Sequence, residues 1–342
     1  MNKYIRHLLI FLAGVVLTSG VVLGTLVLLR PYWTSVQTVT IPTIIERERL
    51  VPTTQDEALG NVRKKVLPMV LSVYKKRADG YYALSRPEKV ALGVTSDGWI
   101  VTVGSLAEMV VVLPDATINP VTNIIKDEAT GMVFGKINVQ NLTAARFSES
   151  ASLESGEPVY VVAPGYILES TFGGSWFPVE SESQSSMLLK RRFLVGTAAG
   201  VLGSAVADRN QGIVGIVADP GKGLVIPANH FRFQIKRLLK TGDLAHPSFG
   251  AEFTDQFQDL AVAGLSGAVR GALVKSVKKG TAAEQAGLKI GDVIISVEGE
   301  KNSADRSLPE ILEQFDASTE VEIVYMRSGK EQSARVILSE KK

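Results

Sequence analysis

The stretch GTAAGVLGSAVADRNQGIVGIV, residues Gly196–Val217, decides how the central part of this chain is interpreted. A loop of small residues leads into a short apolar run, Ala205–Ala207, and a polar turn follows at DRNQG. A second apolar run, Ile213–Val217, is rich in the β-branched residues that buried strands prefer. Two such runs joined by a polar turn predict a pair of antiparallel strands.

Comparable runs recur on both sides of this pair. Turn residues separate them at short intervals, which is typical of an antiparallel barrel or sandwich. The sequence shows no regular alternation of strands and helices, no internal repeat and no phosphate-binding glycine loop. The segment His230–Asp243 predicts a helix that closes this region. The further predicted strands are Met69–Tyr74, Val90–Val94, Trp99–Val103, Val110–Leu113, Met132–Ile137, Pro158–Ala163, Phe193–Val195 and Gly223–Ile226.

Composition limits the classes of function that are open to this chain. Its 342 residues are enough for two or more domains. The 37 basic and 35 acidic side chains give a net charge of +2, which provides no electrostatic reason to expect a nucleic-acid partner. The absence of cysteine excludes disulfides and thiolate metal sites. The three histidines are His7, His230 and His246, and we expect neither a metal nor a cofactor.

The N-terminal region contains a long uncharged run, Leu8–Leu29. At about 1.5 Å per residue this run can span a hydrocarbon core of about 30 Å. It predicts a membrane anchor rather than the competing cleaved signal peptide, because it is longer than the usual apolar core of such peptides. Lys3 and Arg6 precede the run, so we expect a cytoplasmic N-terminus and a periplasmic or other extracytoplasmic location for the rest.

Three segments share one resemblance. GVTSDGWIVTVGSLAE, residues 93–108, resembles the region around the catalytic histidine of trypsin-like proteases of the HtrA family, and Ser105 stands at the histidine position. GMVFGKI, residues 131–137, resembles the family's aspartate strand, with Gly131 at the aspartate position. The stretch 196–217 resembles the loop of the nucleophile, where Leu202 replaces the serine.

These replacements predict that the triad has lost its chemistry. A serine hydroxyl attacks only when a positioned base takes its proton and a partner orients that base. Leu202 has no nucleophilic atom, Ser105 is not a base near neutral pH, and Gly131 has no carboxylate. We therefore assign no catalytic residue, and at most a backbone oxyanion pocket near Gly200–Leu202 remains, which binds but does not attack.

Alternative sites of catalysis stay open at this point. Ser204 is a candidate displaced nucleophile with a lysine as its base, although the favoured interpretation is a small residue in a tight turn. His230 and His246 are candidate bases, although His230 lies on the closing helix and His246 in the segment that follows it. An active serine endopeptidase with a non-standard site is thus the alternative to an inactive one.

The C-terminal part resembles a second domain type. ALVKSVKKGTAAEQAGLKIGDVIISVEG, residues 272–299, resembles the central part of the PDZ domains attached to HtrA proteases. It predicts a strand Ala272–Val277, a short helix Thr281–Ala286 and a strand Val293–Val297. SLPEILEQF, residues Ser307–Phe315, predicts an amphipathic helix capped by its first residue.

The PDZ resemblance implies a peptide site. Such domains add a peptide as an extra strand and hold its C-terminal carboxylate with backbone N–H groups. The run Ser248–Ala251 matches the family's carboxylate loop, and the helix supplies the groove wall. The alternative is a packing module with a closed groove. The candidate peptide-binding residues are Phe249, Gly250, Ala251, Leu308, Ile311 and Leu312.

Together these features predict a mainly β protein: an N-terminal transmembrane helix, a trypsin-like double six-stranded antiparallel β-barrel and a PDZ domain of the α+β class. The expected divisions are a cytoplasmic stub and anchor (1–30), an extended linker (31–58), the protease-like domain (59–243) and the PDZ domain (244–342).

The resemblance implies a membrane-anchored pseudoprotease that binds C-terminal or misfolded, unfolded peptides in protein quality control. It would act as a scaffold, a sensor or a regulator of an active protease. Homo- or hetero-oligomers, including trimers with HtrA-like proteases, are expected as assemblies.

Overall fold

A computed structural model describes most of the chain. It divides into two units, Met1–Pro52 and Thr53–Lys342. In the first unit residues 3–15 form helix α1, and no helix in the described ranges is long and apolar enough to cross a membrane. Most of the predicted anchor Leu8–Leu29 lies outside the described residues. The described residues are 3–15, 55–83, 86–148, 153–176, 189, 191–196, 200–255, 271–303 and 306–341.

The second unit is mainly β, with four α-helices and two short 3-10 turns in its described part. The helices are α2 Gln55–Lys65, α3 Arg232–Thr241, α4 Ala282–Gln285 and α5 Leu308–Leu312, and the turns are Leu67–Met69 and Ala228–His230. The first strands are β1 Val70–Lys75, β2 Lys89–Gly93, β3 Trp99–Val103, β4 Met109–Val112, β5 Ile118–Pro120, β6 Thr122–Lys126 and β7 Met132–Lys136. The next are β8 Pro158–Ala163, β9 Tyr166–Trp176, β10 Arg192–Val195, β11 Ala205–Ala207, β12 Ile213–Asp219 and β13 Leu224–Pro227. The last are β14 His246–Ser248, β15 Ala251–Asp255, β16 Ala272–Val277, β17 Val293–Val297, β18 Glu300–Lys301, β19 Glu320–Arg327, β20 Lys330–Ile337 and β21 Ser339–Lys341.

Two antiparallel sheets form the protease-like part. The first has seven strands in the order β5-β4-β1-β2-β3-β7-β6, and the second closes into a six-stranded barrel, β10-β13-β12-β11-β8-β9. A shared apolar core joins the sheets to the flanking helices, with Val62 of α2, Phe134 of β7, Ile216 of β12 and Phe231 before α3 among its members.

The prediction of two six-stranded barrels is therefore correct for the second sheet and wrong for the first, which has seven strands. The apolar runs were located to within two residues because their side chains are buried on both faces. Strands β5 and β6 were not predicted, because they are short, largely exposed edge strands separated only by Val121. Strand β9 was also missed, since its sequence YILESTFGGSW lacks an apolar period.

The C-terminal part has its own sheet and its own apolar core. Strands β15-β16-β17-β19-β20 are paired in that order, and β18 pairs with β17. Strands β14 and β21 pair at the two ends of this part. The predicted helix Ser307–Phe315 ends earlier than expected, at Leu312. The amide of Phe315 bonds to the carbonyl of Leu312, three residues back, which replaces the α-helical ladder by a tighter turn.

Candidate functional site

The three residues that the resemblance assigns to triad positions, Ser105, Gly131 and Leu202, lie close together in the protease-like part. Val103 and Met132 are paired across β3 and β7, so Ser105, just after β3, and Gly131, just before β7, lie at the same end of two neighbouring strands. Both are exposed. The two positions are therefore close together, and neither Ser105 nor Gly131 carries an imidazole or a carboxylate.

Leu202 lies in the loop that precedes β11, and this loop is held against the first sheet. The amide of Val90 in β2 donates to the carbonyl oxygen of Leu202 over 2.8 Å. A Cβ placed on Gly104 would lie 3.8 Å from the Leu202 Cδ2 atom. The structure thus brings Leu202 next to the segment that carries Ser105.

A lysine that the sequence did not single out lies beside these positions. The Nζ of Lys89 donates to the backbone carbonyl oxygens of Ser105 over 2.6 Å and Val103 over 3.4 Å. Burial lowers the pKa of Lys89, and its bonds to carbonyl oxygens require N–H donors. The Lys89 side chain therefore ties β2 to the loop that carries Ser105. In the sequence, the feature that could have drawn attention to Lys89 is its charge at the start of an otherwise apolar strand.

The displaced-nucleophile candidate Ser204 is fully buried. Its hydroxyl donates to the carbonyl oxygen of Val201 over 2.7 Å and accepts from the amide of the same residue over 3.1 Å. Both bonds close the turn in which the serine lies. The geometry is that of a small residue stabilising a tight turn.

His246 is held between two carboxylates. Its Nε2 lies 2.8 Å from Asp127 Oδ1 and its Nδ1 lies 2.6 Å from Glu313 Oε1. Burial by itself lowers the pKa of His246, but the hydrogen bonds and charges of Asp127 and Glu313 outweigh it and raise the pKa to about 9. The imidazolium donates from both nitrogens and has no lone pair with which to accept a proton. His246 is therefore a poor general base.

His230 is completely buried and bonds through Nε2 to Oε1 of Glu310. Arg191 donates from Nε to the same oxygen over 2.8 Å. Burial lowers the pKa of His230 in spite of the adjacent carboxylate, because Arg191 already compensates that charge. The two candidate bases thus connect the protease-like part to the helix α5 region rather than to Ser105 or Leu202.

The six candidate peptide-binding residues come together around β15 and α5, but their apolar side chains are buried. Gly250 is the turn residue of the group: its φ is +84°, and a Cβ at this position would lie 2.3 Å from the Cβ of Thr281. Its N–H donates to Ser248 Oγ over 3.2 Å. The five others belong to one core and expose 3% of their surface or less: Phe249, Ala251, Leu308, Ile311 and Leu312.

The arrangement of His, Asp and Glu side chains gives no metal centre in the described ranges. The His246 nitrogens face carboxylates directly, which leaves no common point for a cation.

Comparison with known proteins agrees with this architecture. A family model for the PDZ domain matches residues 247–338. The fold as a whole is that of HtrA-type proteases: the structure of the HtrA-type protease AlgW with a tripeptide superimposes with a TM-score of 0.56, at 17% identity, over 83% of this chain and 97% of that one. AlgW with a decapeptide gives a TM-score of 0.54 at 16% identity, over 83% and 98%.

The chain is a homologue of the HtrA and DegP serine proteases and carries a PDZ domain. A probable periplasmic serine protease do/HhoA-like of Haemophilus influenzae is 26% identical over 62% of this chain and 48% of the relative. The periplasmic serine endoprotease DegP of Escherichia coli is 25% identical over 59% of this chain and 45% of the relative. The chain thus matches about half the length of these curated relatives.

Proposed function

We propose that this protein is a membrane-anchored, extracytoplasmic HtrA-like pseudoprotease whose PDZ domain binds C-terminal or unfolded peptides. It acts in protein quality control as a scaffold, sensor or regulator of an active protease. The observation that supports this proposal is that Ser105, Gly131 and Leu202 stand where the HtrA resemblance places the catalytic histidine, aspartate and serine.

The candidate bases support loss of peptidase activity. Both nitrogens of His246 face carboxylates, and His230 is buried against Glu310. The hydroxyl of Ser204 is buried and bonded within its own turn. A hydroxyl without an oriented base attacks a peptide bond at a rate lower by orders of magnitude.

The PDZ match and the local backbone support peptide binding. Phe249, Gly250 and Ala251 are proposed to present backbone N–H groups to a terminal carboxylate, and Leu308, Ile311 and Leu312 are proposed to contact the peptide. Because these apolar side chains are buried, binding requires β15 and α5 to separate. A bound peptide then replaces contacts that the domain makes with itself.

The location is proposed on two grounds. The curated relatives are named as periplasmic proteases, and the run Leu8–Leu29 has the length and composition of an anchor. The domain divisions at 1–30, 31–58, 59–243 and 244–342, and assembly with itself or with HtrA-like proteases as trimers, belong to the same proposal.

A cleavage assay distinguishes the proposed pseudoprotease from the alternative, an active endopeptidase with a non-standard site. The full chain in detergent is incubated with unfolded casein beside an active HtrA-type protease. We expect no cleavage above the blank for the wild type and for Ser204→Ala. Cleavage by the wild type that Ser204→Ala abolishes would establish the alternative.

Peptide binding is tested by measuring the affinity of the full chain for each peptide of an array. We expect free C-terminal peptides to bind at least tenfold more tightly than the same peptides with an amidated C-terminus. The control is on the peptide side, because any side chain at Gly250 would collide with Thr281. Equal binding of the acid and amide forms would contradict carboxylate capture.

A further inference from the structure

Two glutamates at helix α5 make ion pairs with side chains of the protease-like part. Glu310 lies on α5 and Glu313 is its C-cap residue, and both are buried. Glu310 bonds to Arg191 and His230. Glu313 bonds to Arg237 of α3 over 2.5 Å. Four ionic side chains of the protease-like part and the segment after it thus contact this short region: Arg191, His230, Arg237 and His246.

These contacts join two parts whose apolar cores are separate. The core of the protease-like part and that of the PDZ domain share no member among the described residues. Burying ion pairs gains little net free energy, because the charges first lose their hydration. Buried charge pairs therefore select one relative arrangement of the two parts but stabilise it little. A change in the charge of a single partner is then enough to separate the parts.

We infer that Glu310 and Glu313, together with Arg191, His230, Arg237 and His246, form a reversible latch between the protease-like part and the PDZ domain. The two histidines act on the latch in opposite directions, so that it opens on acidification and also at alkaline pH. This inference concerns the docking of the two parts and does not depend on peptide binding.

The opening of the latch at acidic pH, called the acid limb, comes from His230. The charged groups that face it are Glu310, Arg191 and Arg192. Arg191 already compensates the carboxylate, so a proton on His230 would add an unbalanced buried charge. The Nδ1 atom of the ring has no hydrogen-bond partner in the described part of the chain, so an Nδ1–H would be unsatisfied as well.

The sign of this limb follows from proton uptake. The docked form keeps the pKa of His230 below its usual value, whereas an undocked, hydrated ring has the ordinary value of about 6.5. As the pH falls below about 6.5, the undocked form binds a proton that the docked form rejects. The ratio of docked to undocked molecules then falls by up to about tenfold per pH unit.

The opening of the latch at alkaline pH, called the alkaline limb, comes from His246. The groups around it are Asp127, Glu313 and Gln234, whose Nε2 donates to Glu313 Oε2 over 2.6 Å, and Arg237 bonds to the same carboxylate. The docked form raises the pKa of His246 to about 9. Undocking removes Asp127 and lowers this pKa, so the stabilisation is full at low pH and is lost as the pH rises through about 9.

The carboxylates do not produce the acid limb. Arg191 and His230 outweigh the effect of burial and lower the pKa of Glu310 to about 2, and the bonds to His246 likewise lower the pKa of Asp127. The stabilisation from a carboxylate with a lowered pKa is present above its ordinary value, about 4, and is lost only below that. Opening that begins near pH 6.5 is therefore specific to the histidine.

Because the chain has no cysteine, two introduced cysteines can be labelled selectively for a distance measurement. Lys222→Cys in the barrel and Glu331→Cys in the PDZ sheet are both exposed positions outside the latch. The full chain is labelled with a dye pair, and single-molecule energy transfer is recorded from pH 5 to pH 10. We expect one compact population near pH 6.5 and a growing open population towards both ends. An unchanged distribution over this range would overturn the inference.

Three histidine variants separate the limbs. His230→Gln is expected to remove the acid limb only, and His246→Gln is expected to remove the alkaline limb or open the latch throughout. His7→Gln is the matched control, because it lies in the other unit and is expected to leave both limbs unchanged. Acid opening that persists in His230→Gln would overturn the assignment.

A carboxylate variant guards against misfolding as an explanation. The double variant Glu310→Gln with Glu313→Gln keeps size and shape but removes the charges, and we expect the open population at every pH. Circular dichroism that matches the wild type shows that both parts are folded. A folded double variant that remains compact would refute the latch.

Discussion

Gly203, the residue after Leu202, packs tightly against the first sheet. Its φ is +87°, and a Cβ at this position would lie 1.9 Å from the carbonyl oxygen of Val90 and 2.7 Å from Thr102 Oγ1. The amide of Gly203 donates to Val217 over 2.9 Å. The close approach of the loop to β2 is thus a packing requirement that holds whether or not the preceding residue is a serine.

Replacing this glycine is expected to destabilise the fold. Gly203→Ala adds backbone strain and an overlap with β2, which together cost on the order of 3 kcal/mol. Gly131→Ala is the matched control: its φ is +77°, but nothing lies within 4 Å of the added Cβ, so only the strain of about 1 kcal/mol applies. Urea unfolding measures both losses. Equal losses would show that the contact with β2 is not limiting.

At the scale of elements, strand pairing brings the three proposed triad positions close together. The register of β3 on β7 places the positions of Ser105 and Gly131 at one sheet edge. The bond from Val90 to the carbonyl oxygen of Leu202 attaches the third position to the same sheet. A main-chain ladder does not depend on the identity of these side chains.

Introducing the triad side chains tests this arrangement. The triple variant Ser105→His, Gly131→Asp and Leu202→Ser is expected to cleave casein measurably, while Leu202→Ser alone stays at the blank, because triad members act as a unit. A fluorescent casein assay on the full chain measures both. An inactive triple variant that keeps the wild-type circular dichroism would show that the three positions are not in a catalytic arrangement.

For the whole molecule, the decisive contacts are the buried charges of the latch. Arg191 and Glu310 each expose 1% of their side chains, and they come from parts of the chain 119 residues apart. Removing one charge leaves the other buried without compensation, which is costlier than removing both. The pair therefore acts as a specific link between two cores that are otherwise separate.

A double-mutant cycle tests this link. Glu310→Ala alone is expected to cost about 3–5 kcal/mol, because Arg191 is left uncompensated in a buried site. Combining it with Arg191→Met is expected to recover more than half of that loss. Chemical unfolding of the full chain at pH 7 supplies the four free energies. Losses that simply add would indicate that the two side chains do not interact.

The strands that carry continuous apolar runs are predictable from local sequence alone. Apolar runs such as Trp99–Val103 and Pro158–Ala163 were predicted with their observed bounds, since burial on both faces leaves an unbroken apolar signal. The proposed loss of the triad rests on the identities of Ser105, Gly131 and Leu202, which are known from the sequence alone. Exposed edge strands such as Thr122–Lys126 leave no such signal and were missed.

Only the tertiary structure decided where the charges of the PDZ helix go and how far the peptide residues are exposed. Glu310 caps the start of α5 locally, since one of its carboxylate oxygens accepts from the amide of Ser307 over 3.1 Å. Its second oxygen bonds to Arg191 and His230. No local pattern predicts these partners, because they meet only when the two parts dock.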